Sequence, residues 1–101
     1  MIQYTTYDVQ LKVSNPDIFN GLTSLYVTLK QNSEIILTKN IDLETLDISQ
    51  GIIPLSLSQE ETSSFGIGYA ELQVNFLYDN IRKASNIKKI YITENLITEV
   101  L

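Results

Sequence analysis

Apolar residues fall at every second position in several short stretches of this 101-residue chain. Successive side chains of a β-strand lie on opposite faces, so a period of two predicts strands with one buried face. The clearest such stretch runs from Tyr69 to Tyr78, where the apolar face holds Ala70, Leu72, Val74, Phe76 and Tyr78. We expect this strand to lie in the middle of a sheet.

Three further stretches predict strands. Tyr7 to Val13 alternates as a half-buried strand, and Leu25 to Lys39 predicts a hairpin that turns at Asn32-Ser33. Ile52 to Leu57 predicts a short strand. Because Pro54 has no N–H to donate to a ladder, this strand is expected either at a sheet edge or to begin just after Pro54. Residues 40–50 fit neither period, and we expect a short strand and a loop there.

The last part of the sheet is predicted to contain a bulge. Asp79-Asn80 is a turn sequence, and the chain should return antiparallel from Ile81 to Ile92. Apolar residues in this return do not keep one phase. One extra residue near Lys88-Lys89 would bring Ile87 into phase with Ile90 and Ile92. An unbroken ladder from Ala84 to Ile92 would contradict this prediction.

Six to eight short strands with closely spaced turns are typical of an all-β fold. We predict a small antiparallel β-sandwich, Ig-like or jelly-roll-like, with residues 1–101 forming a single domain. Ile18 and Phe19 are expected to close one end of its core. A closed barrel is the alternative architecture.

An acidic segment, Gln59-Glu60-Glu61, interrupts the strands. With Ser58 it matches the capping-box pattern, which predicts one helical turn near residues 58–65 with Leu57 and Phe65 beneath it and Gly66 ending it in a left-handed conformation. The functional alternative makes Glu60 and Glu61 an acid and base pair or a cation site. Adjacent carboxylates on a helical turn point about 100° apart, however, and converge poorly on one atom.

The composition excludes several chemistries. The chain has no His and no Cys, so zinc-thiolate sites, thiol nucleophiles and disulfides are ruled out. Asp42, Glu44 and Asp47 form a second acidic patch that does not match a calcium loop. We predict no catalytic residues, no cofactor, no metal site and no small-molecule substrate.

Charge and hydropathy limit the partners. The net charge of −5 argues against general affinity for nucleic acid, and the one basic cluster, Arg82, Lys83, Lys88 and Lys89, more often marks a protected sheet edge than a nucleic-acid site. No stretch has the apolar length of a membrane span, and the first residues do not match a signal peptide. We expect a soluble protein.

Four apolar residues lie in the last six positions of the sequence: Leu96, Ile97, Val100 and Leu101. We call these four residues the apolar tail. Polar, frayed ends are more usual, so we predict that the tail either closes its own sheet as a last strand or contacts a partner subunit. The tail residues are our candidate partner contacts.

The order of these parts resembles small structural proteins of bacteriophages of Gram-positive bacteria. The chain from about Asp8 to Ile92 looks like the N-terminal β-sandwich domain of phage baseplate upper proteins. The matching positions are Leu57 to Thr62, Gly68, Gln73, Asp79-Asn80 and Ala84-Ser85.

The resemblance implies a non-enzymatic virion component of the head, neck, tail or baseplate, made in the host cytoplasm. Its expected partners are copies of itself, in a homo-oligomer, and other virion proteins. The alternative is a phage-encoded inhibitor of a host nuclease or defence protein, whose acidic surface imitates nucleic acid.

Overall fold

Two antiparallel sheets make up the computed structural model, which describes residues 1–100. The strands are β1 (Tyr7–Lys12), β2 (Leu22–Gln31), β3 (Glu34–Asn40), β4 (Ile52–Leu57), β5 (Gly68–Tyr78), β6 (Ile81–Ala84) and β7 (Lys88–Ile92). One helical turn, α1 (Gln59–Ser63), joins β4 to β5, and two short 3-10 turns span Pro16–Phe19 and Leu43–Thr45. The prediction of a small all-β sandwich with six to eight strands and a helical turn near residues 58–65 is confirmed.

The sheets differ in width. β1 and β4 form a two-stranded sheet, and the other five strands form a sheet in the order β3-β2-β5-β6, with β7 also paired to β5. β5 thus contacts three strands and is central, as its sequence predicts. Because β1 and β4 pair only with each other among the described strands, the sheets stay separate and the barrel alternative is wrong.

The core lies between the two sheets and follows the alternation of the sequence. The apolar faces of β4, β2 and β5 meet there, with Phe65 from the α1–β5 connection and Phe19 at one end, as predicted for that residue. The buried apolar residues are Phe19, Leu25, Val27, Leu29, Ile41, Ile53, Leu55, Leu57, Phe65, Ala70, Leu72, Val74 and Ile92. Tyr7, Val9 and Leu11 of β1 are half-buried against them, as expected.

Both tight hairpins turn on two residues in the left-handed region. Asn32 and Ser33 have φ of 53° and 67°, and Asp79 and Asn80 have φ of 47° and 66°. Two successive positive φ angles define the type I′ turn, whose twist matches that of the strands it joins. The predicted turn positions are therefore confirmed.

The return strand is broken, although not where the sequence predicted. β6 and β7 both pair with β5, but Asn75 lies opposite Ala84 whereas Leu72 lies opposite Lys88, so one extra residue sits between them. The interruption is at residues 85–87, because the Ser85 hydroxyl accepts from the Val74 amide at 2.9 Å. Ile87 is exposed, so the predicted grouping of Ile87 with Ile90 and Ile92 is wrong.

Residues 41–51 form a connection and not a strand, so the short strand expected there is wrong. A 3-10 turn at Leu43–Thr45 follows Asp42, and Asp47 makes an isolated bridge with Ile52. Among residues 1–100, no helix is both long and apolar enough to cross a membrane.

Candidate interaction surfaces

The acidic segment 59–61 is the start of helix α1, and its capping box is fully formed. The Ser58 hydroxyl accepts a hydrogen bond from the Glu61 amide at 3.2 Å, and the Glu61 carboxylate accepts one from the Ser58 amide at 2.9 Å. Leu57 and Phe65 are buried beneath the turn. The structural prediction for this segment is confirmed, because each partner satisfies a backbone N–H that the helix itself leaves free.

The Glu61 carboxylate also binds the Lys39 ammonium of β3 at 3.0 Å, and Lys39 donates a second bond to the Ser56 carbonyl. Partial burial opposes ionisation of Glu61. The hydrogen bond from Ser58 and the charge of Lys39 outweigh that effect and hold the pKa of Glu61 below its ordinary value of 4.5. Glu61 is therefore a paired structural anion, and it links α1 to the edge of the larger sheet.

Gly66 does not end the helix in a left-handed conformation, contrary to the prediction. Ser64 caps α1 with right-handed angles, and the positive φ of this connection, 123°, belongs to Gly68. The Gln31 side chain holds Gly66 at both backbone groups, since it accepts from the Gly66 amide at 2.7 Å and donates to the Gly66 carbonyl at 2.8 Å. A side chain from β2 thus fixes the end of the connection.

Thr62 is buried, and its hydroxyl ties α1 to the N-terminal segment. It donates to the Thr5 carbonyl at 2.8 Å and accepts from the Thr5 amide at 3.1 Å. The Gln3 side-chain amide donates to the Phe65 carbonyl nearby. The buried side-chain polar atoms of the described residues all have partners, so these groups hold the structure in place.

The second acidic patch also serves local structure. Asp42 accepts from the Glu44 amide and caps the 3-10 turn. Asp47 accepts from the Ser49 hydroxyl and the Gln50 amide, and these bonds lower the pKa of Asp47. No group of three or more acidic residues within residues 1–100 could hold a metal ion.

The basic cluster is divided between the two faces of the larger sheet. Lys83 and Lys88 lie opposite Phe76 and Leu72 on the inner face, whereas Arg82 and Lys89 lie on the outer face. Neighbouring residues in a strand alternate between faces, so these four charges do not form one basic patch.

The outer face of the larger sheet carries an exposed aromatic pair. Tyr69 and Tyr91 lie opposite each other on β5 and β7, with ring centroids 5.0 Å apart in an edge-to-face arrangement. The Lys89 ammonium lies 6.0 Å from the centre of the Tyr69 ring. Cross-strand aromatic pairs of this kind stabilise a sheet surface.

The apolar tail does not close the sheet. Thr93 makes a bridge with Ile2, and Asn95 donates to the Gln3 carbonyl, but residues 94–100 form no strand. Leu96 is 94% exposed, and Ile97 and Val100 are about half exposed. Leu101, the fourth predicted contact, lies outside the described residues. The first predicted role of the tail is thus wrong for residues 94–100, and the contact with a partner subunit stays a prediction.

The sequence did not predict a groove that lies where the five-stranded sheet extends past the two-stranded sheet. We call these two sheets the wide sheet and the narrow sheet. The groove has a volume of about 560 Å³ and runs between the end of β1 and the edge formed by β6 and β7. Its lining includes Leu11 and Lys12 of β1, Phe19, Val74 and Phe76 of β5, and Lys88 of β7. Its lining residues come from segments that are distant in sequence, so no local sequence pattern predicts it.

Comparisons with models of known protein families and with curated proteins gave no match for this chain. The fold and the surfaces described above are therefore the basis for a functional proposal.

Proposed function

We propose that this chain is a non-enzymatic structural component of a bacteriophage virion, in the head, neck, tail or baseplate. It is made in the host cytoplasm and acts through contacts with copies of itself and with other virion proteins. The observation that carries the proposal is the exposure of adjacent apolar side chains near the end of the described residues. The side chain of Leu96 is 94% exposed beside half-exposed Ile97, and adjacent exposed apolar side chains are typical of surfaces that partners cover.

The use of the carboxylates supports an assembly role. Glu61 pairs with Lys39, Asp42 caps a 3-10 turn and Asp47 closes the following turn. These groups are occupied by internal partners. The β-sandwich of the described residues also agrees with the resemblance to phage baseplate modules, which carries the assignment to a virion.

One observation favours a second candidate, an acidic inhibitor of a host nuclease or defence protein. Two adjoining recesses share Lys39, and they are bordered by Asp8 and Asp42 on one side and by Glu60 and Glu61 on the other. Four carboxylates near one another could imitate a run of phosphates. Lys39 lies among them and reduces the negative potential, which weakens this candidate.

Sedimentation of the purified chain at rising concentrations distinguishes the two. An assembly protein should form a homo-oligomer of defined mass, and the chain should be found in purified phage particles by mass spectrometry. A monomer at every concentration that forms a tight complex with a host nuclease would overturn the virion assignment.

A further inference from the structure

The narrow sheet has one edge that is closed and one that is open. The Val13 amide donates to the Gly51 carbonyl at 2.7 Å, which makes the odd-numbered residues of β1 the ones that exchange hydrogen bonds toward β4. The backbone groups of Asp8, Gln10 and Lys12 therefore point away from β4. No described strand pairs with that side of β1.

The outer edge of β4 is closed by two partners, Asp47 and Lys39, and by the lack of an N–H at Pro54. Ile52 exchanges two hydrogen bonds with Asp47, Pro54 has no N–H, and the Ser56 carbonyl accepts from Lys39. A strand could not be added there without displacing these contacts. The free edge of β1 is thus the place where the narrow sheet can gain a strand.

A strand added to β1 would cover the groove. Leu11 of β1 lines one wall, and the other wall is the β6–β7 edge of the wide sheet, so a third strand beside β1 would lie over Val74 and Phe76. The added strand would present an apolar face to the groove and use the backbone groups of β1. Exposed sheet edges bind extended segments in this manner.

The charges at the groove favour an acidic segment. Its lining residues include Lys12 and Lys88 and no carboxylate, on a chain with a net charge of −5. Residues 95–100 have the complementary character, since they carry one carboxylate, Glu99, and no cation, and they present Leu96 to solvent.

The sequence of the tail fits one phase of such a strand. With Leu96, Thr98 and Val100 toward the groove, Ile97 and Glu99 lie on the opposite face. That face of β1 carries Lys12, so Glu99 and Lys12 share it. The other phase would turn Glu99 away from Lys12 and place its carboxylate among the apolar side chains that line the groove.

In the single chain Val100 lies away from the groove. Val100 borders a recess with Thr6, Ser58 and Glu61, near the start of β1, whereas the groove lies near the end of that strand. We therefore propose that residues 95–100 of a second copy add as a strand to the free edge of β1 and fill the groove. This contact rests on the proposed assembly function and specifies the surfaces that would carry it.

The contact joins two different surfaces, a tail and a groove. Reciprocal exchange of tails between two copies gives a closed two-fold dimer, whereas a tail given to one neighbour and a groove offered to another gives a heterologous contact. Such contacts form closed rings when the rotation between copies closes and filaments when it does not.

Charge reversal tests the pairing in the full chain. Lys12→Glu and Glu99→Lys should each weaken self-association about tenfold in sedimentation experiments, because each replaces an attraction by a repulsion. The double variant Lys12→Glu/Glu99→Lys should restore association to within about twofold of the original. Lys30→Glu makes the same charge change on the outer face of β2 and serves as the matched control.

Two outcomes of that experiment would overturn the inference. One is an equal effect of Lys12→Glu and Lys30→Glu, and the other is failure of the double variant to recover. Oligomers that persist unchanged in all these variants would also overturn the groove contact and would leave the proposed assembly function standing. A chain that never associates and is absent from particles would overturn both.

Disulfide trapping locates the contact, because the chain has no cysteine of its own. Single variants Asp8→Cys, Gln10→Cys and Lys12→Cys are each mixed with Ile97→Cys under mild oxidation. One of these mixtures should give a covalent dimer, whereas Thr28→Cys on the wide sheet should give none. When both cysteines are placed in one chain, a disulfide-bonded monomer would show that the tail fills its own groove and would overturn the role of a second copy.

Discussion

At the scale of single residues, Glu61 connects three parts of the molecule. Its carboxylate caps α1 through the Ser58 amide and pairs with Lys39, which in turn binds the Ser56 carbonyl of β4. The pair is partly exposed, so its contribution to stability is modest, below about 1 kcal/mol. The ion pair fixes the position of α1 relative to β3 at the edge of the larger sheet.

Glu61→Gln tests the charge while keeping an oxygen that can cap the helix. The folded pKa of Glu61 is depressed, so its ionised form adds stability above the ordinary value of 4.5, and this stability is lost as the pH falls through the folded pKa. We expect the variant to lower the free energy of unfolding at pH 7 by less than about 1 kcal/mol and to converge with the original chain in acid. Urea titrations at several pH values measure the difference.

Glu60→Gln is the control for that series, because it removes the same charge from a carboxylate that makes no salt bridge within residues 1–100. A pH-independent gap between Glu61→Gln and the original chain would contradict the ion-pair assignment.

Ser58→Ala removes the other half of the capping box. The Glu61 amide loses its acceptor, and we expect a loss of about 1 kcal/mol in the free energy of unfolding, measured by chemical denaturation. Ser64→Ala at the opposite end of the turn is the control, since its hydroxyl makes only a 3.5 Å contact. Equal losses for the two variants would mean that the cap contributes nothing specific.

The capping box could be predicted because it lies within four consecutive residues. The conformation of Gly66 could not, because its partner Gln31 lies 35 positions away and reaches it only after the sheets have packed. Local patterns specify local hydrogen bonds. Gln31 and Thr62 form their long-range hydrogen bonds only when the chain has folded, so a local sequence pattern does not predict them.

At the scale of elements, the β2–β3 hairpin contains backbone strain at Ser33, and a single substitution there would relieve it. Ser33 has a φ of 67° at the second turn position of the β2–β3 hairpin, where glycine is usually preferred. A non-glycine residue in this region costs roughly 1–2 kcal/mol. The β2–β3 turn is therefore held by the ladder on either side of it.

Ser33→Gly should raise the free energy of unfolding by about 1 kcal/mol, since glycine adopts positive φ without a steric penalty. Thermal and urea denaturation measure the change. Ser56→Gly, in the extended strand β4, is the control and should lower stability. A destabilised Ser33→Gly variant would argue against the type I′ turn.

Strand positions were predictable from alternation, but the interruption in the return strand was placed three residues too late. The decisive feature is the Ser85 side chain, which takes the place of a backbone carbonyl at the Val74 amide. Hydropathy carries no signal for such a bond. Ile87 misled the prediction because an exposed isoleucine looks the same in a sequence as a buried one.

At the scale of the whole molecule, five strands face two, and the uncovered width of the larger sheet becomes a groove. The sequence indicated the tail as a contact surface because its apolar residues are contiguous. It gave no sign of the groove, whose walls come from Leu11, Phe19 and Phe76, far apart in the chain. A surface that is formed by elements distant in sequence can be predicted only when the strand pairing is known.

The tail and the fold should be energetically separate. Leu96 and Ile97 are exposed in the single chain, so Leu96→Ser/Ile97→Ser should change the free energy of unfolding by no more than about 0.5 kcal/mol. The same variant should lower the mass of the assembled protein in light scattering, because it removes apolar contact with a partner. Ile35→Ser/Ile67→Ser removes a similar exposed apolar surface elsewhere and should leave the mass unchanged. An unchanged mass for the tail variant, or equal losses for both variants, would contradict a specific docking role for these residues.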